Sequence, residues 1–224
     1  MNELLAAVPP SEYRALARHL EPVDLPAGAT LYRPGDRIRS AYFLESGVAS
    51  LAAVTSAGNM IELAMVGREG MLGIPLILHG NRSPYLVLTQ IAGRGLKIRA
   101  ELLQAEFHRS RNLQRVLLRF VDSILGQLAQ WAVCNRFHTT EERLSRWLLA
   151  CRERARSDEL ALTQEVIAEM LGATRTAVTA AARGLQSSGC IRYSRGHITI
   201  LEPDDLASAA CECHAAAGEM QHTG

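Results

Sequence analysis

The stretch from Leu162 to Leu201 constrains the fold more than any other part of this 224-residue chain. Thr163 and Thr174 each precede apolar residues at helical spacing, and a threonine hydroxyl in that place caps the first turn of a helix. Gly172 lies between the two runs, where a chain leaving a helix commonly adopts a left-handed backbone that glycine tolerates. The pattern predicts two helices joined by a tight turn, the second covering Thr174–Leu185 with Val178, Ala181, Ala182 and Leu185 facing inward.

A hairpin is predicted after the second helix. Residues 190–193 and 197–201 fit two short strands around Ser194-Arg195-Gly196. Helix, tight turn, helix and hairpin together make a winged helix-turn-helix. From Ala173 to Leu201 there are four arginines and no Asp or Glu, so this segment would attract a polyphosphate partner. We therefore predict binding to double-stranded DNA, although two amphipathic helices around a glycine turn also occur in α-helical domains with other roles.

The sequence LTQEVIAEMLGATRTAV…GCIRYSRGHITIL is similar throughout to the winged helix of the Crp/Fnr transcription regulators. The resemblance implies that Arg175, in the first turn of the second helix, reads a guanine, because an arginine can donate two hydrogen bonds to O6 and N7. It also implies a homodimer that reads an inverted repeat with half-sites about one helical turn apart, and contact with RNA polymerase. The predicted DNA-binding residues are Arg175, Thr174, Thr176, Thr179, Arg183, Thr163, Gln164 and Arg195.

This sequence departs from the family pattern at two positions of the second helix. The family often has Glu where this chain has Thr176, and a second Arg where this chain has Ala180. We therefore expect its half-site to differ from the sequence that cAMP-dependent relatives read.

The N-terminal part of the chain has a different pattern. Short apolar runs separated by Gly, Pro, Asn and Asp recur about every eight to twelve residues, which favours an antiparallel sandwich or barrel. The segments YRPGD and YFLESGVASL are similar to the cyclic-nucleotide-binding roll that forms the N-terminal sensor of Crp/Fnr proteins. The expected strands are Thr30–Tyr32, Ala41–Leu44, Val48–Val54, Ile61–Val66, Leu86–Ile91 and Gly95–Ile98.

The resemblance implies an effector pocket that contains Gly73, Ile74, Arg82, Ser83 and Leu128. Relatives that bind cAMP have a glutamate where this chain has Ile74, and that glutamate accepts a hydrogen bond from the ribose. An isoleucine cannot accept one, and a buried hydroxyl without a partner costs about 1–3 kcal/mol. Arg82-Ser83 also lies closer to Gly73 than expected, and Leu128 lies where the relatives supply a hydroxyl to adenine. We predict that the sensor does not use cAMP in the usual mode, and the effector is unknown.

Between the two predicted domains, apolar residues recur at three- and four-residue steps over about three heptads. A helix of about 27 residues spans roughly 40 Å, which is longer than a small domain needs. We predict that it forms the homodimer, with packing of this stripe on the roll as the alternative. Ser110 is its expected N-cap, and Thr139 with Glu142 forms a capping box that starts the next helix. The predicted dimer interface comprises Leu113, Leu117, Phe120, Ile124, Leu128 and Trp131.

The sequence therefore predicts an α+β fold with an N-terminal antiparallel β-roll of the cyclic-nucleotide-binding type, a long dimerisation helix and a C-terminal winged helix-turn-helix. The expected boundaries are 1–107 for the sensor, 108–138 for the dimerisation helix and hinge, 139–203 for the DNA-binding domain and 204–224 for a C-terminal tail. Residues 108–201 hold fourteen Arg against eight Asp and Glu, although the net charge of the whole chain is only +1.

Several protein classes are disfavoured. We expect no contact with a membrane, because no segment approaches the roughly 20 apolar residues that a spanning helix needs. The start lacks the basic and apolar regions of a secretory signal, so the expected location is the cytoplasm. No nucleophile elbow, phosphate-binding loop or zinc-protease motif is present, and we predict that the protein is not an enzyme. The alternative function is a ligand- or redox-sensing protein that acts through protein association.

The five cysteines are irregularly spaced, which fits reduced thiols better than a disulfide framework. None precedes Cys134, which excludes the N-terminal cysteine cluster of oxygen-sensing relatives. Cys211, Cys213 and His214 could bind a soft metal, but the sequence offers no fourth ligand nearby. We therefore predict an ordinary helical tail, with no metal site and no cofactor.

Overall fold

The computed structural model describes residues 1–214. The described chain forms two compact units. The first comprises residues 1–51 and 65–124, and the second comprises residues 52–64 together with the chain from Leu125 onwards. Residues 215–224 of the predicted tail lie outside the described residues.

Two short helices, α1 (Glu3–Ala6) and α2 (Pro10–Ala17), begin the first unit. Asn2, which is fully buried, anchors this lead-in to the roll. Its amide donates hydrogen bonds to the backbone carbonyls of Leu44 (2.7 Å), Arg68 (2.9 Å) and Gly70 (2.8 Å). Its Oδ1 accepts from the backbone amide of Leu5 at 3.2 Å, so the same side chain caps α1.

Eight strands form two four-stranded sheets, with orders β1-β8-β3-β6 and β2-β7-β4-β5. In the first sheet β8 pairs antiparallel with both β1 and β3. The predicted antiparallel roll is therefore confirmed. The strands are β1 (Glu21–Leu25), β2 (Thr30–Tyr32), β3 (Ser40–Leu44), β4 (Val48–Val54), β5 (Met60–Val66), β6 (Met71–Leu72), β7 (Leu86–Ile91) and β8 (Gly93–Arg99).

Gly47 makes the tight reversal between β3 and β4. Its φ of +81° lies in the left-handed region, and a Cβ there would lie 2.6 Å from the carbonyl oxygen of Ile91. Any side chain would therefore be both strained and in collision with backbone. The residues around this turn, including Phe43, Leu44 and Val48, are fully buried and belong to the core of the roll.

Helix α3 (Ala100–Arg109) leads into the long helix α4 (Arg111–Phe137). Ser110 caps α4 as predicted, because its hydroxyl accepts from the backbone amide of Leu113 at 3.0 Å. The same hydroxyl donates to Glu12, and the Asn112 amide donates to the other oxygen of that carboxylate at 2.7 Å. These two hydrogen bonds hold the pKa of Glu12 below its usual value.

One face of α4 is mostly buried within the chain, and the other carries exposed apolar residues. Of the six predicted interface residues, Leu113, Leu117, Phe120, Ile124 and Trp131 are already buried within the single chain, and Leu128 is half-buried. An apolar repeat shows that one face of a helix leaves water, but it does not show which surface covers that face. The exposed apolar residues of α4 lie elsewhere, at Leu118, Leu125, Val133 and Phe137.

Helix α4 is also the one segment within residues 1–214 that is long and apolar enough, by length and composition alone, to cross a membrane. This finding contradicts the expectation that no segment approaches the length and apolar character of a spanning helix. One such helix is only weak support for a membrane span, because the core helix of a soluble protein meets the same criterion.

The second unit contains α5 (Thr140–Ala155), β9 (Glu159–Ala161), α6 (Gln164–Leu171), α7 (Arg175–Ser187), β10 (Ile191–Ser194), β11 (His197–Ile200) and α8 (Pro203–Ser208). The predicted capping box of α5 is present, since the Thr139 hydroxyl and the Glu142 carboxylate each accept from the other residue's backbone amide. Trp147 is fully buried and donates from Nε1 to Glu62 at 3.1 Å, which ties α5 to the segment 52–64 of the same unit.

Candidate nucleic-acid interface

The turn between α6 and α7 has the geometry that the sequence predicts. The Thr163 hydroxyl accepts from the Val166 amide at 3.3 Å, and the Thr174 hydroxyl accepts from the Ala177 amide at 3.2 Å. Gly172 ends α6 with a φ of +57°. Both helices therefore start and stop where local hydrogen bonding and backbone conformation require.

Helix α7 buries one face and exposes the other. The four predicted inward residues, Val178, Ala181, Ala182 and Leu185, are at most 5% exposed. The opposite face keeps polar and basic side chains in solvent, where they are free to contact a partner. Exposed residues on it are Arg175, Thr176 and Arg183, with Thr174 at the N-cap and Thr179 half-buried.

Thr179 is engaged within the protein. Its hydroxyl lies 2.9 Å from the Gln164 side-chain oxygen and 2.8 Å from the Arg175 carbonyl oxygen, and its single proton can serve one of them at a time. The contact with Gln164 connects the start of α6 to the middle of α7. Thr179 and Gln164 thus hold each other in position at the interface.

Arg175 lies near Glu165, a contact that the sequence pattern does not indicate. Its Nη1 lies 3.7 Å from Glu165 Oε1, and both side chains are about two-thirds exposed. The carboxylate belongs to the first turn of α6, so only the packing of α6 against α7 brings it near. An exposed pair of this kind is worth about 0–1 kcal/mol, so the arginine can leave it readily.

The wing has a two-residue turn. Arg195 and Gly196 have φ values of +48° and +79°, as in the tightest class of hairpin turn, and β10 pairs antiparallel with β11. The Tyr193 amide donates to the Gln186 side chain at 2.9 Å, which fixes the wing to α7. Arg192 and Arg195 are exposed on the hairpin, so the wing adds positive charge to the second unit.

The predicted effector residues of the roll make contacts within the roll itself. Gly73 has a φ of +103°, and a Cβ on it would lie 3.2 Å from the Ala41 Cβ. Ile74 is 5% exposed and begins a 3₁₀ helix, Ile74–Leu78. Arg82 is exposed and donates to the Gly35 carbonyl at 2.7 Å.

Ser83, by contrast, is buried and donates to the Tyr85 carbonyl at 2.6 Å. The fifth predicted residue, Leu128, belongs to the second unit. Thus Arg82 and Ser83 both satisfy backbone groups of the roll, and Ile74 contributes an apolar side chain to its core.

The structure brings four metal-ligating side chains of the second unit together, and they differ from the set considered in the sequence. Cys211 and Cys213 are joined by Cys134 and His138, whereas His214 is not part of the group. Burial disfavours the charged thiolate form of Cys134 and so raises its pKa. The Arg146 guanidinium and hydrogen bonds with His138 and the neighbouring thiols outweigh this effect and hold the pKa of Cys134 below its usual value. Cys211 and Cys213 of the predicted tail therefore belong to a buried cluster of side chains.

A roll of this topology followed by a winged helix with a basic exposed face defines a DNA-binding transcription regulator. Residues 22–110 match the cyclic nucleotide-binding domain family, and residues 142–209 match the Crp-like helix-turn-helix domain family. The chain belongs to the Crp/Fnr family of transcription regulators, and the family expected from the sequence is confirmed.

Three relatives illustrate the extent of the likeness. The CRP-like cAMP-activated global transcriptional regulator of Mycobacterium tuberculosis is 28% identical over 228 residues, covering 94% of this chain and 100% of the relative. The global nitrogen regulator of Synechococcus elongatus is 26% identical over 189 residues, covering 80% and 85%. A Crp/Fnr-family structure from Eubacterium rectale has a TM-score of 0.72 at 18% identity, covering 92% of this chain and 96% of that one.

Proposed function

We propose that this regulator binds an inverted repeat as a homodimer, with α7 of each subunit in a major groove. The observation that carries the proposal is the exposed polar face of α7, which begins at the N-cap Thr174 and continues through Arg175 and Thr176. In helix-turn-helix proteins the N-terminal residues of the second helix contact base edges. Arg175 is the residue with the donor geometry for a guanine.

The remaining predicted contacts are assigned by position. Arg183 and Arg195 are exposed and carry the positive charge that phosphates attract. Thr163 and Gln164 lie at the start of α6, where hydroxyl, amide and backbone N–H groups can donate to phosphate. Because Gln164 is held by Thr179, we expect this pair to act together in positioning α7.

The homodimer is proposed to form through the exposed apolar stripe of α4. Leu118 and Leu125 are 46% and 57% exposed and lie one heptad apart, and Val133 continues the same face at 44%. On the stripe opposite, five of the six residues predicted from the sequence are buried within the single chain and Leu128 is half-buried, so less of that face is available to a second copy. The proposed interface therefore moves from the residues predicted by sequence to this opposite face.

The sensor is proposed to work without cAMP in the usual mode. The relative from Mycobacterium tuberculosis is named as cAMP-activated, but this chain has buried Ile74 at the position of the ribose-binding glutamate. Arg82, the expected phosphate partner, is engaged with the Gly35 carbonyl instead. On this basis we propose a cytoplasmic, non-enzymatic regulator that contacts RNA polymerase and does not bind cAMP in the usual mode.

The proposal is tested by selecting bound duplexes from a random-sequence pool and measuring affinity by fluorescence anisotropy at fixed salt. Arg175→Ala should lose about 1–3 kcal/mol on the selected duplex and much less on a scrambled one. The matched variant Arg183→Ala should weaken both duplexes to a similar degree, because a phosphate contact carries no sequence information. Equal losses on both duplexes for Arg175→Ala would show that this arginine contacts only phosphate. Absence of any selected sequence would favour action through protein association.

The proposed dimer is tested by sedimentation analysis. Leu125→Glu should convert the dimer to a monomer, because it places a charge at the centre of an apolar contact. Leu78→Glu is the matched control, since Leu78 is 52% exposed and lies on the roll. A Leu125→Glu protein that remains dimeric would place the interface elsewhere.

A further inference from the structure

Four side chains of the second unit form a group that the proposed function does not use. We call it the thiol–imidazole cluster; it consists of Cys134, His138, Cys211 and Cys213. The three cysteines are at most 4% exposed, and the His138 side chain is 11% exposed. All four ligand atoms lie within 4.8 Å of one another.

The distances fit ligands around a single ion. The sulfurs of Cys134 and Cys211 are 3.4 Å apart, and the Cys213 sulfur lies 3.6 Å from His138 Nδ1. In a tetrahedral zinc site with metal–sulfur bonds of about 2.3 Å, neighbouring sulfurs are separated by roughly 3.8 Å. Iron–sulfur clusters distribute their cysteines over several iron atoms, so a single ion fits this compact arrangement better.

Local structure explains how the four ligands converge. Cys134 and His138 are four residues apart, and the His138 amide still donates to the Cys134 carbonyl at 3.2 Å as in a helix. Side chains at that spacing lie on the same face. Cys211 and Cys213 follow α8, and the His214 amide donates to the Cys211 carbonyl at 3.0 Å in a turn. Two ligands therefore come from the end of α4 and two from one turn of the C-terminal segment.

The imidazole has the partner that a metal-bound histidine usually has. While Nδ1 faces the Cys213 sulfur, Nε2 lies 3.2 Å from the Glu212 carboxylate. A histidine ligand commonly donates its second N–H to a carboxylate, which fixes the ring orientation. A cluster of thiols packed only as small apolar groups would not require this arrangement.

A buried cation lies beside the cluster. Arg146 is 4% exposed, and its guanidinium stacks on the Trp131 ring at 4.6 Å. Its Nε has no hydrogen-bond partner among the described residues. Three thiolates and a neutral imidazole around a divalent cation carry one net negative charge, which this arginine would balance.

We propose that the thiol–imidazole cluster binds one thiophilic divalent cation of the zinc class. Each thiol gives its proton to water as the metal–sulfur bond forms. Four protein ligands make a closed site of the structural kind. The bound ion would join the end of α4 to the segment after α8, next to Thr139, where α5 begins. This site goes beyond the proposed function and does not depend on DNA binding.

The test uses the full-length protein, stripped with a chelator under reducing conditions and titrated with Co²⁺ and then Zn²⁺. One Co²⁺ per chain should bind, with the visible bands of tetrahedral cobalt and a thiolate charge-transfer band in the near ultraviolet. Zn²⁺ should then displace it and raise the melting temperature. These spectra need no variant, so they test the site even if a ligand substitution prevents folding.

Variants assign the ligands. Cys213→Ser and His138→Gln should each weaken Zn²⁺ affinity by at least about 100-fold, and Glu212→Gln should weaken it by about 10-fold or more. The matched controls are Cys190→Ser, a buried cysteine outside the cluster, and His214→Gln, the adjacent histidine. Both controls should bind like the unmodified protein.

Three outcomes would overturn the site. The first is Co²⁺ binding that is absent, or that gives spectra without thiolate charge transfer. The second is an equal loss of Zn²⁺ affinity in the ligand and control variants. The third is a protein that, purified without reductant, has no metal bound and a mass two hydrogens lower, with the disulfide mapped to Cys134 and Cys211, which would show that these two thiols form a redox pair instead.

Discussion

The exposed face of α7 and the sensor wall, Gly73–Leu78, differ in where their candidate binding residues lie. Those on α7 are mostly exposed, whereas Ile74 in the sensor wall is buried. On α7 the residues that would meet DNA are in solvent, and the helix is held by a separate set of buried residues. In the sensor wall Ile74 belongs to the core of the roll, and it is also the residue at which the sequence predicts that a ribose contact is lost.

This difference explains why membership of the family indicates DNA binding more reliably than it indicates which effector the sensor binds. An exposed residue can change without disturbing the fold, so α7 can be retuned to a new half-site while the winged helix stays intact. A residue of the sensor wall is part of the packing, so a change there alters both the ligand and the core. The fold alone does not specify the ligand.

The largest expected effect tests whether the sensor wall is packed core. Ile74→Glu should lower the free energy of unfolding by at least about 3 kcal/mol, because it buries a charge that has no partner. It should also leave cAMP without measurable affinity. The two readouts are urea denaturation followed by circular dichroism, and calorimetric titration with cAMP.

Leu78→Glu is the matched control, since Leu78 ends the same 3₁₀ helix but is 52% exposed. It should change stability by no more than about 0.5 kcal/mol. An Ile74→Glu protein that folds normally and gains cAMP affinity would contradict the claim that the sensor wall is packed core. The wall would then be an open nucleotide-binding site that lacks only its glutamate.

A smaller effect tests whether different residues of α7 stabilise the fold and contact DNA. Thr174→Ala should lower the free energy of unfolding by about 1 kcal/mol, since it removes the cap on the Ala177 amide. Thr176→Ala, in the first turn of the same helix and exposed, should change it by less than about 0.5 kcal/mol. Urea denaturation measures both free energies of unfolding. Equal losses of stability in the two variants would show that the Thr174 cap does not stabilise α7 more than an exposed side chain does.

Local signals explain what the sequence could predict. The caps at Thr163, Thr174 and Thr139 depend on residues within one turn, so they can be read without knowing the fold. Strand β1 was missed because, of EPVDL, only Leu25 is buried, so no apolar run marks it. Strand β6 was missed because it has only two residues, Met71–Leu72.

Contacts between distant residues explain what the sequence could not predict. The repeat on α4 correctly indicated an apolar stripe, but whether a roll or a second chain covers it is decided by tertiary packing. The thiol–imidazole cluster joins residues 77 positions apart, Cys134 and Cys211, so spacing along the chain gave no sign of it. His138 appeared in the sequence only as part of a hinge.

The smallest effect concerns Glu165, another contact that the sequence did not indicate. Its carboxylate lies 3.7 Å from Arg175 in the free protein, and both side chains are exposed. DNA binding would bring phosphates to this face, so the carboxylate should both hold the arginine back and repel the backbone. Since an exposed pair is worth about 0.2–1 kcal/mol, Glu165→Gln should raise DNA affinity by no more than about five-fold.

Anisotropy on the selected and scrambled duplexes, at low and high salt, would measure this gain, and it should shrink as salt screens the charges. Glu169→Gln is the matched control, because Glu169 lies one turn further along α6 and is also exposed. A gain on both duplexes that is larger on the selected one would mean that releasing Arg175 improves base reading. If Glu165→Gln instead weakens binding to the selected duplex alone, the carboxylate itself reads a base or positions the arginine. Recognition would then extend from α7 onto the first turn of α6.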